Sequence, residues 1–541
     1  MATVAATVES LGNYRPALEA ALGGLNSGEI VARIWNGDHR VWKEDPTEIS
    51  DRLGWLHLPA AMAREVSGLS SFSESVRLDG FLHVVLLGMG GSSLGPEVLR
   101  RTFGSGQGYP ELMVLDSTLP AWIEAVDSAI DPGRTLFLVS SKSGTTIEPS
   151  TLYSYYRQKV VDAVGDERAG ANFIAVTDPG TPLESRGEQE GFRRVFPNPP
   201  EIGGRYSVLS FFGMAPAALI GLDLEKILDS ADCMRQACAA PEAGDNPGAR
   251  LGAAMAVLAL EGRDKLTLVT SPSLASYGLW VEQMLAESLG KSGKGIIPVA
   301  QEPLLDPGSY SSDRMLVYLR LDGGDNAETD TLVEKLAATH PAIRLELREK
   351  YDLGGEFYRW EFATAVAGHI LGVHPFDQPD VQGAKDMTDR VLEEFASTGS
   401  LPFLENENSL RDLLSGAEPG DYLAILSYLP DRPSINRELR LLRHRITDKF
   451  GVPTTAGFGP RYLHSTGQLH KGGPNSGLYL QLTADHHAQI PISGRPYTFN
   501  TLVDAQATGD YLALKALGRR LVRAHLGGSV EDGIQRLAAD F

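Results

Sequence analysis

From Phe81 onward the chain carries short apolar runs, most of them separated by a helical stretch: FLHVVLLG, GYPELMVLDS, TLFLVSS, ANFIAVTD and FRRVFPN. Strands without a polar face must be buried on both sides, and strands that alternate with helices are joined by crossovers. Together these confine the segment to a mainly parallel sheet flanked by helices, an α/β fold. A second set of the same kind starts near Asp245, with DKLTLVTS, RMLVYLRL and AIRLELRE as strands and with helical patterns in PGARLGAAMAVLALEG and SYGLWVEQMLAESL. A third stretch follows Asp386, holding the strand DYLAILSYL, the basic helix INRELRLLRHRITDKFG and the strand GLYLQLT. The pattern predicts two similar lobes, residues 80–240 and 241–397. A helical lead-in (1–79), anchored by Trp35, Trp42 and Trp55, precedes them. The C-terminal extension (398–541) is expected to pack on the second lobe and complete it, with 398–420, rich in Gly, Ser, Pro and acids, as a connecting region.

The 541 residues carry 49 Lys+Arg against 69 Asp+Glu, a net charge of −20. That disfavours nucleic-acid binding, because phosphate backbones reward clustered positive charge, so any anionic ligand must be gripped by a local site. Composition, 42% hydrophobic and 22% charged, is that of a folded globular protein. Cys233 and Cys238 fit neither a disulfide framework nor zinc-knuckle spacing and are expected to be reduced structural thiols. The N-terminus lacks the charged start and apolar run of a signal peptide, and no apolar stretch approaches the roughly 18 to 20 residues that span a bilayer. The expectation is a cytoplasmic chain with no membrane partner. His486 and His487 are adjacent and point apart, and no H-E-x-x-H pattern occurs, so neither a metal nor another cofactor is expected.

Two glycine- and hydroxyl-rich turns follow strands of the first lobe. In LLGMGGSSLGP, Gly88, Gly90 and Gly91 come directly after the apolar run and before Ser92, where missing side chains let backbone amides approach an anion. The spacing departs from the G-x-G-x-x-G dinucleotide fingerprint, which disfavours NAD. In TLFLVSSKSGTTIEP, the run Ser140, Ser141, Lys142, Ser143, Gly144, Thr145, Thr146 opens a helix. One Ser or Thr suffices to cap a helix, so the redundancy of donors at a positive helix end points to a phosphomonoester. It is not a Walker A loop, because the Lys precedes the Gly.

These segments, with GGRYS (203–207), QMLAESLGKSGKGIIP (283–298) and PFDQPDVQGAK (375–385), resemble the blocks of glucose-6-phosphate isomerases, whose two lobes are sugar-isomerase (SIS) domains. Within that family the chain is most similar to the isomerase half of transaldolase/isomerase fusions, and its length leaves no room for a transaldolase barrel, so no transaldolase activity is expected. The resemblance implies an aldose–ketose isomerase that interconverts glucose 6-phosphate and fructose 6-phosphate by enediolate proton transfer, and a homodimer. It places the general base at Glu287, four residues after Gln283 and so on the same helix face. Arg205, beside the paired glycines Gly203 and Gly204, is positioned to steady negative charge, and Lys385 matches an active-site lysine that helps to open the sugar ring. Gly91, Ser92, Ser141, Lys142, Ser143, Thr146, Gly204, Gln283 and Gln378 make up the expected substrate-binding set.

Short bacterial relatives follow the base block with an H-S-x-G-Q segment, whereas this chain has DPGSYSSDR (306–314), without histidine. HSTGQ occurs instead at 464–468, ahead of a strand, which makes His464 the expected ring-opening acid/base. An imidazole titrates near pH 6.5, in the range such a role needs. His470, Glu361 and His369 are the alternatives. Two other functions fit parts of the pattern: a non-catalytic SIS-type sugar-phosphate sensor, which would not need Glu287, Arg205 and Lys385 together, and a dual phosphoglucose/phosphomannose isomerase, which would turn over mannose 6-phosphate.

Overall fold

The computed structural model describes residues 6–402, 404 and 409–539. Strand β1 (Ala6–Ser10) opens the chain, and helices that include Arg15–Ser27 and Val66–Leu78 lead from it into the first lobe. There β2 (His83–Gly88), β3 (Glu111–Leu115), β4 (Thr135–Ser140), β5 (Phe173–Thr177) and β6 (Arg194–Pro197) form an all-parallel sheet in the order β3-β2-β4-β5-β6. Val84 to Leu87 of β2 are fully buried, as an apolar run covered by helices on both faces requires.

The second lobe contributes β7 (Lys265–Thr270), β8 (Ile297–Ala300), β9 (Arg314–Leu321) and β10 (Ala342–Leu347). Its sheet runs β1-β10-β9-β7-β8, all parallel except β1, which pairs antiparallel with β10 in the register Val8↔Arg344. The lead-in is therefore helical but for one strand, which closes the far edge of the second sheet. Helix Leu353–Leu371 is buried almost from end to end, because helices Pro247–Leu260 and Leu224–Ala237 pack along it. Its apolar residues are spread all round accordingly.

The C-terminal extension differs from expectation. Its strands β11 (Tyr422–Ser427), β12 (Thr454–Phe458), β13 (Gly477–Thr483) and β14 (Arg520–His525) form a separate parallel sheet, β12-β11-β13-β14, and add nothing to the ladder of the second lobe. The reason lies at the joint between edge strands β8 and β12. Arg443, from helix Pro433–Phe450, reaches between them and donates to the carbonyl oxygens of Ala300 (2.9 Å), Gln301 (3.1 Å) and Thr454 (2.6 Å). A guanidinium takes the place of ladder hydrogen bonds. Within the expected connecting region, Leu410–Ser415 is a helix, while residues 403 and 405–408 lie outside the described residues. Cys233 and Cys238 are free thiols, and burial pushes Cys238 up to about 12. Among the described residues no helix is long and apolar enough to cross a membrane.

Glu282, on helix Tyr277–Leu289, is buried beside the same joint. Burial pushes its carboxyl up to about 8, although Arg443 and the amide of Ala300 pull the other way. An unfolded glutamate releases its proton near 4.5, so between about 4.5 and 8 the folded chain binds the extra proton and stability declines as pH rises. Glu282→Gln cannot ionise. Its melting temperature relative to the native chain should rise across that window and level off above it; an offset that stays constant with pH would contradict the assignment.

Candidate active site

In the first sheet the chain turns to β3 on one side of β2 and to β4 on the other, so the crevice beyond their carboxyl ends is a topological switch point, the usual place for a ligand in open α/β sheets. Gly88 and Ser140 are register partners there, which sets the glycine loop beside the hydroxyl-rich turn. The glycines serve a purpose beyond approach to an anion. A Cβ on Gly91 would lie 1.9 Å from the carbonyl oxygen of Gly204, and one on Gly90, whose φ is +55°, 2.6 Å from that of His464. Backbone presses on backbone at both points. Ser92 closes this loop.

Thr146 occupies the cap position of helix Ile147–Val164, but its hydroxyl makes no capping bond; it lies 3.2 Å from the Ser141 hydroxyl, and both line the crevice. The hydroxyl of Ser143 sits 3.0 Å from that of Thr145. The helix end thus has no side-chain cap, and its hydroxyls bond mainly to one another, an arrangement a phosphate could take over. Lys142 also lines the crevice, but its ammonium is held by the Asp178 carboxylate and by the Pro200 carbonyl (2.8 Å), so it braces the turn. Lys142 lies within the cleft lining as expected of it.

The opposite wall comes from helix Tyr277–Leu289 and from segment 375–385. Gln283 donates from one amide nitrogen to the Glu287 carboxylate (2.9 Å) and to the His464 carbonyl (2.9 Å). Arg205 is almost wholly buried. It donates to Ser288 Oγ (2.8 Å), Gln378 Oε1 (2.9 Å) and the carbonyls of Pro375 and Asp377 (both 2.8 Å), and it pairs with Glu287 at 3.1 Å. Its charge bears on the carboxylate while its hydrogen-bonding capacity goes to the protein. Lys291 binds the same turn from behind, donating to the carbonyls of His374 and Asp377 and to the Asp377 carboxylate; burial and the Arg205 charge push its amine down to about 7. Lys385 stands exposed at the rim.

His464 ends a turn of 3-10 helix (Arg461–His464) beyond β12 and enters the crevice from the third sheet. Its Nε2 lies 3.0 Å from Glu148 Oε1, which also accepts from Gln506 Nε2 (2.8 Å), and Thr118 donates to Gln506 Oε1 (2.7 Å). Burial works to raise Glu148, but the charge and hydrogen bond of His464, with Lys385 further off, hold it below the usual carboxylate range. Arg461 fastens the turn to the first lobe through two 2.8 Å bonds to Asp116. The three alternatives lie elsewhere. His470 is buried among Tyr462 and Tyr479, Glu361 is sealed within helix Leu353–Leu371, and His369 is bonded through Nδ1 to the Val41 carbonyl.

Every expected site residue therefore lines one cleft of about 570 Å³. It offers an anion cradle at one end and a carboxylate and an imidazole at the other, a set suited to moving protons on a phosphorylated substrate. Glu148 and Gln506 were not foreseen. An acid in a first helical turn has an ordinary explanation in the helix dipole, and nothing local marks Gln506. Among the described residues no group of three or more His, Cys, Asp or Glu side chains is arranged to hold a metal ion.

A family model described as phosphoglucose isomerase matches residues 74–294. The glucose-6-phosphate isomerase of Rubrobacter xylanophilus is 31% identical over 424 residues, covering 70% of this chain and 96% of that protein. That of Symbiobacterium thermophilum is 29% identical, covering 64% and 88%. Among solved structures, a hypothetical protein from Thermus thermophilus superposes with a TM-score of 0.61 at 24% identity, covering 72% of this chain and 100% of that one. A glucose-6-phosphate isomerase from Chlamydia trachomatis gives 0.58 at 19%, covering 70% and 86%. The fold is shared with both.

Gly91→Ala should force the Gly204–Arg205 backbone outward. A displacement on the order of 1 Å at a catalytic group costs about 10²-fold in rate. We expect a loss of that size in turnover together with a lower melting temperature; a variant with native kinetics would show that the close approach is not needed.

Proposed function

The chain belongs to the glucose-6-phosphate isomerase family, and on that premise we propose that its cleft interconverts glucose 6-phosphate and fructose 6-phosphate through an enediolate. The observation that carries this reading is the placing of Glu287 and His464 in the same cleft as the hydroxyl turn of Ser141, Ser143 and Thr146. The phosphate would sit on those hydroxyls and on the open amides of the helix end, with charge-assisted hydrogen bonds stronger than neutral ones. The Gly91–Ser92 loop and Gly204 would wall the sugar, which points its first two carbons at Glu287.

In the forward direction the Glu287 carboxylate takes the proton from C2 of the open-chain aldose, the electrons move to O1, and an enediolate forms. A proton passes from O2–H to O1 as O2 becomes the carbonyl, and Glu287 returns its own proton to C1 to give the ketose, so one carboxylate serves both carbon-bound transfers. Arg205 holds the carboxylate in place, and its charge lowers the cost of the developing anion through the field rather than by a direct bond. His464, oriented by Glu148, and Lys385 at the rim would exchange protons with the ring oxygen and O1 when the cyclic sugar opens. A cytoplasmic location and a homodimer go with this reading. The groups that line the cleft come from one chain.

Glu287→Gln should retain binding, with KM changed by no more than a few-fold, and lose turnover by a factor on the order of 10³, within the usual contribution of a general base. Solvent deuterium should no longer enter at C2. Normal turnover would remove Glu287 from the mechanism. His464→Ala should lose about 10²-fold on cyclic glucose 6-phosphate and much less on open-chain substrate; equal losses on both would assign His464 another role.

A further inference from the structure

Behind the catalytic cleft lies a second cavity, of about 200 Å³, at the joint between the second and third sheets. Its walls are the end of β8, strand β12, helix Pro433–Phe450 and helix Leu94–Phe103. Four arginines line it, Arg101, Arg440, Arg443 and Arg461, against the acids Asp431 and Glu282, in a chain whose net charge is −20. Two of the four are neutralised from outside the cavity: Arg461 by Asp116, and Arg101 by Glu97, with Asp431 a second partner of Arg101 at 3.2 Å. The other two have no ion pair of their own among the described residues. Arg443 is buried and its hydrogen bonds go to neutral oxygens of Ala300, Gln301 and Thr454; the charge of Glu302 reaches it, but the hydrogen bonds that Glu302 accepts come from Arg314, Thr447 and Thr454. Arg440 is exposed at the mouth, and its side chain makes no hydrogen bond or ion pair with another described residue. On the inner wall Glu282, only 9% exposed, has no hydrogen bond to another side chain. Burial pushes its carboxyl up to about 8, toward the protonated form, against Arg443 and the amide of Ala300.

A buried guanidinium without an ion pair, a free guanidinium at the entrance and a carboxyl on the inner wall are three groups that complement the oxygens of an anion. A ligand site of this type is a small concave space with a few convergent polar groups, and here the space would hold roughly six waters. We propose that this cavity is a second binding site, for a small oxyanion bearing a phosphoryl or carboxylate group. It is distinct from the catalytic cleft but adjoins it at Ser465, which lines both and directly follows His464. The proposal does not depend on which sugar phosphate the cleft isomerises.

A built-in reporter makes the site testable. The guanidinium of Arg461 stacks on Trp122 at 4.9 Å, and Phe458 meets the same ring edge-on at 6.3 Å; both residues line the second cavity, whereas Trp122 lines neither space. The native chain, its cleft kept filled by an equilibrium mixture of glucose 6-phosphate and fructose 6-phosphate, is titrated in two arms, with inorganic phosphate and with malonate. Saturable tryptophan quenching in either arm supports the site and selects between phosphoryl and dicarboxylate ligands. The signal should vanish in Trp122→Phe. Affinity should weaken about tenfold or more in Arg440→Glu, the loss of one charge-assisted hydrogen bond. Ala456→Leu, which fills the cavity from β12, should abolish binding. Isomerase turnover in Arg440→Glu should stay within about twofold of native, which separates failure of this site from failure of the cleft. Absence of saturation up to about 10 mM in both arms, or a response that Arg440→Glu and Ala456→Leu leave unchanged, would overturn the proposal.

Discussion

The backbone contact of Gly90 and Gly91 with the carbonyls of His464 and Gly204 lets three remote stretches of chain share one cleft. Interiors pack densely and do not deform smoothly, so a single methyl group at Gly91 has no space to relax into: its neighbour is main chain, not the tip of a mobile side chain. The loop that a phosphate would be expected to select for its exposed amides is selected equally by the need to seat a second loop against it. One constraint explains both the glycines and the approach of Arg205, whose backbone follows directly on the Gly204 carbonyl.

Around that contact the charges are arranged in pairs drawn from different lobes. Arg205, from the end of the first lobe, stands at 3.1 Å from Glu287 of the second, and Glu148, from the first, holds His464 of the third sheet. Such pairs return little stability when solvated, but these are largely buried, and their worth lies in fixing geometry. The Thr118–Gln506–Glu148–His464 series spans both ends of the chain, so the orientation of the imidazole depends on the third sheet docking correctly on the first.

The parts of this architecture visible in the amino-acid sequence are those where one physical requirement dominates. β2, β4, β5 and β9 announce themselves as unbroken apolar runs because both faces are covered. β12 and β14 do not, since TTAGF and RLVRAH are half-buried strands at the edges of their sheet and carry no such run. β8 is only four residues, hidden in a glycine-rich turn region. The extension was expected to complete the second lobe because it contains a helix and strands of the right kind, and nothing in the run of residues distinguishes a strand that joins an existing edge from one that builds its own sheet. The cleft residues from family blocks fall together, and Lys142 among them is braced by Asp178, a partner that residue type alone does not reveal.

The guanidinium that stitches β8 to β12 has a further consequence. Two open strand edges facing one another are an invitation to slip, to swap between molecules or to recruit foreign strands. Arg443 occupies the very acceptors such a strand would need, on both borders at once, without welding them into a single ladder. The seam is thereby closed to a foreign strand without becoming a ladder, and the third sheet keeps its own edge while Ile297 and Val299 of β8 share a core with Tyr422 and Ala424 of β11.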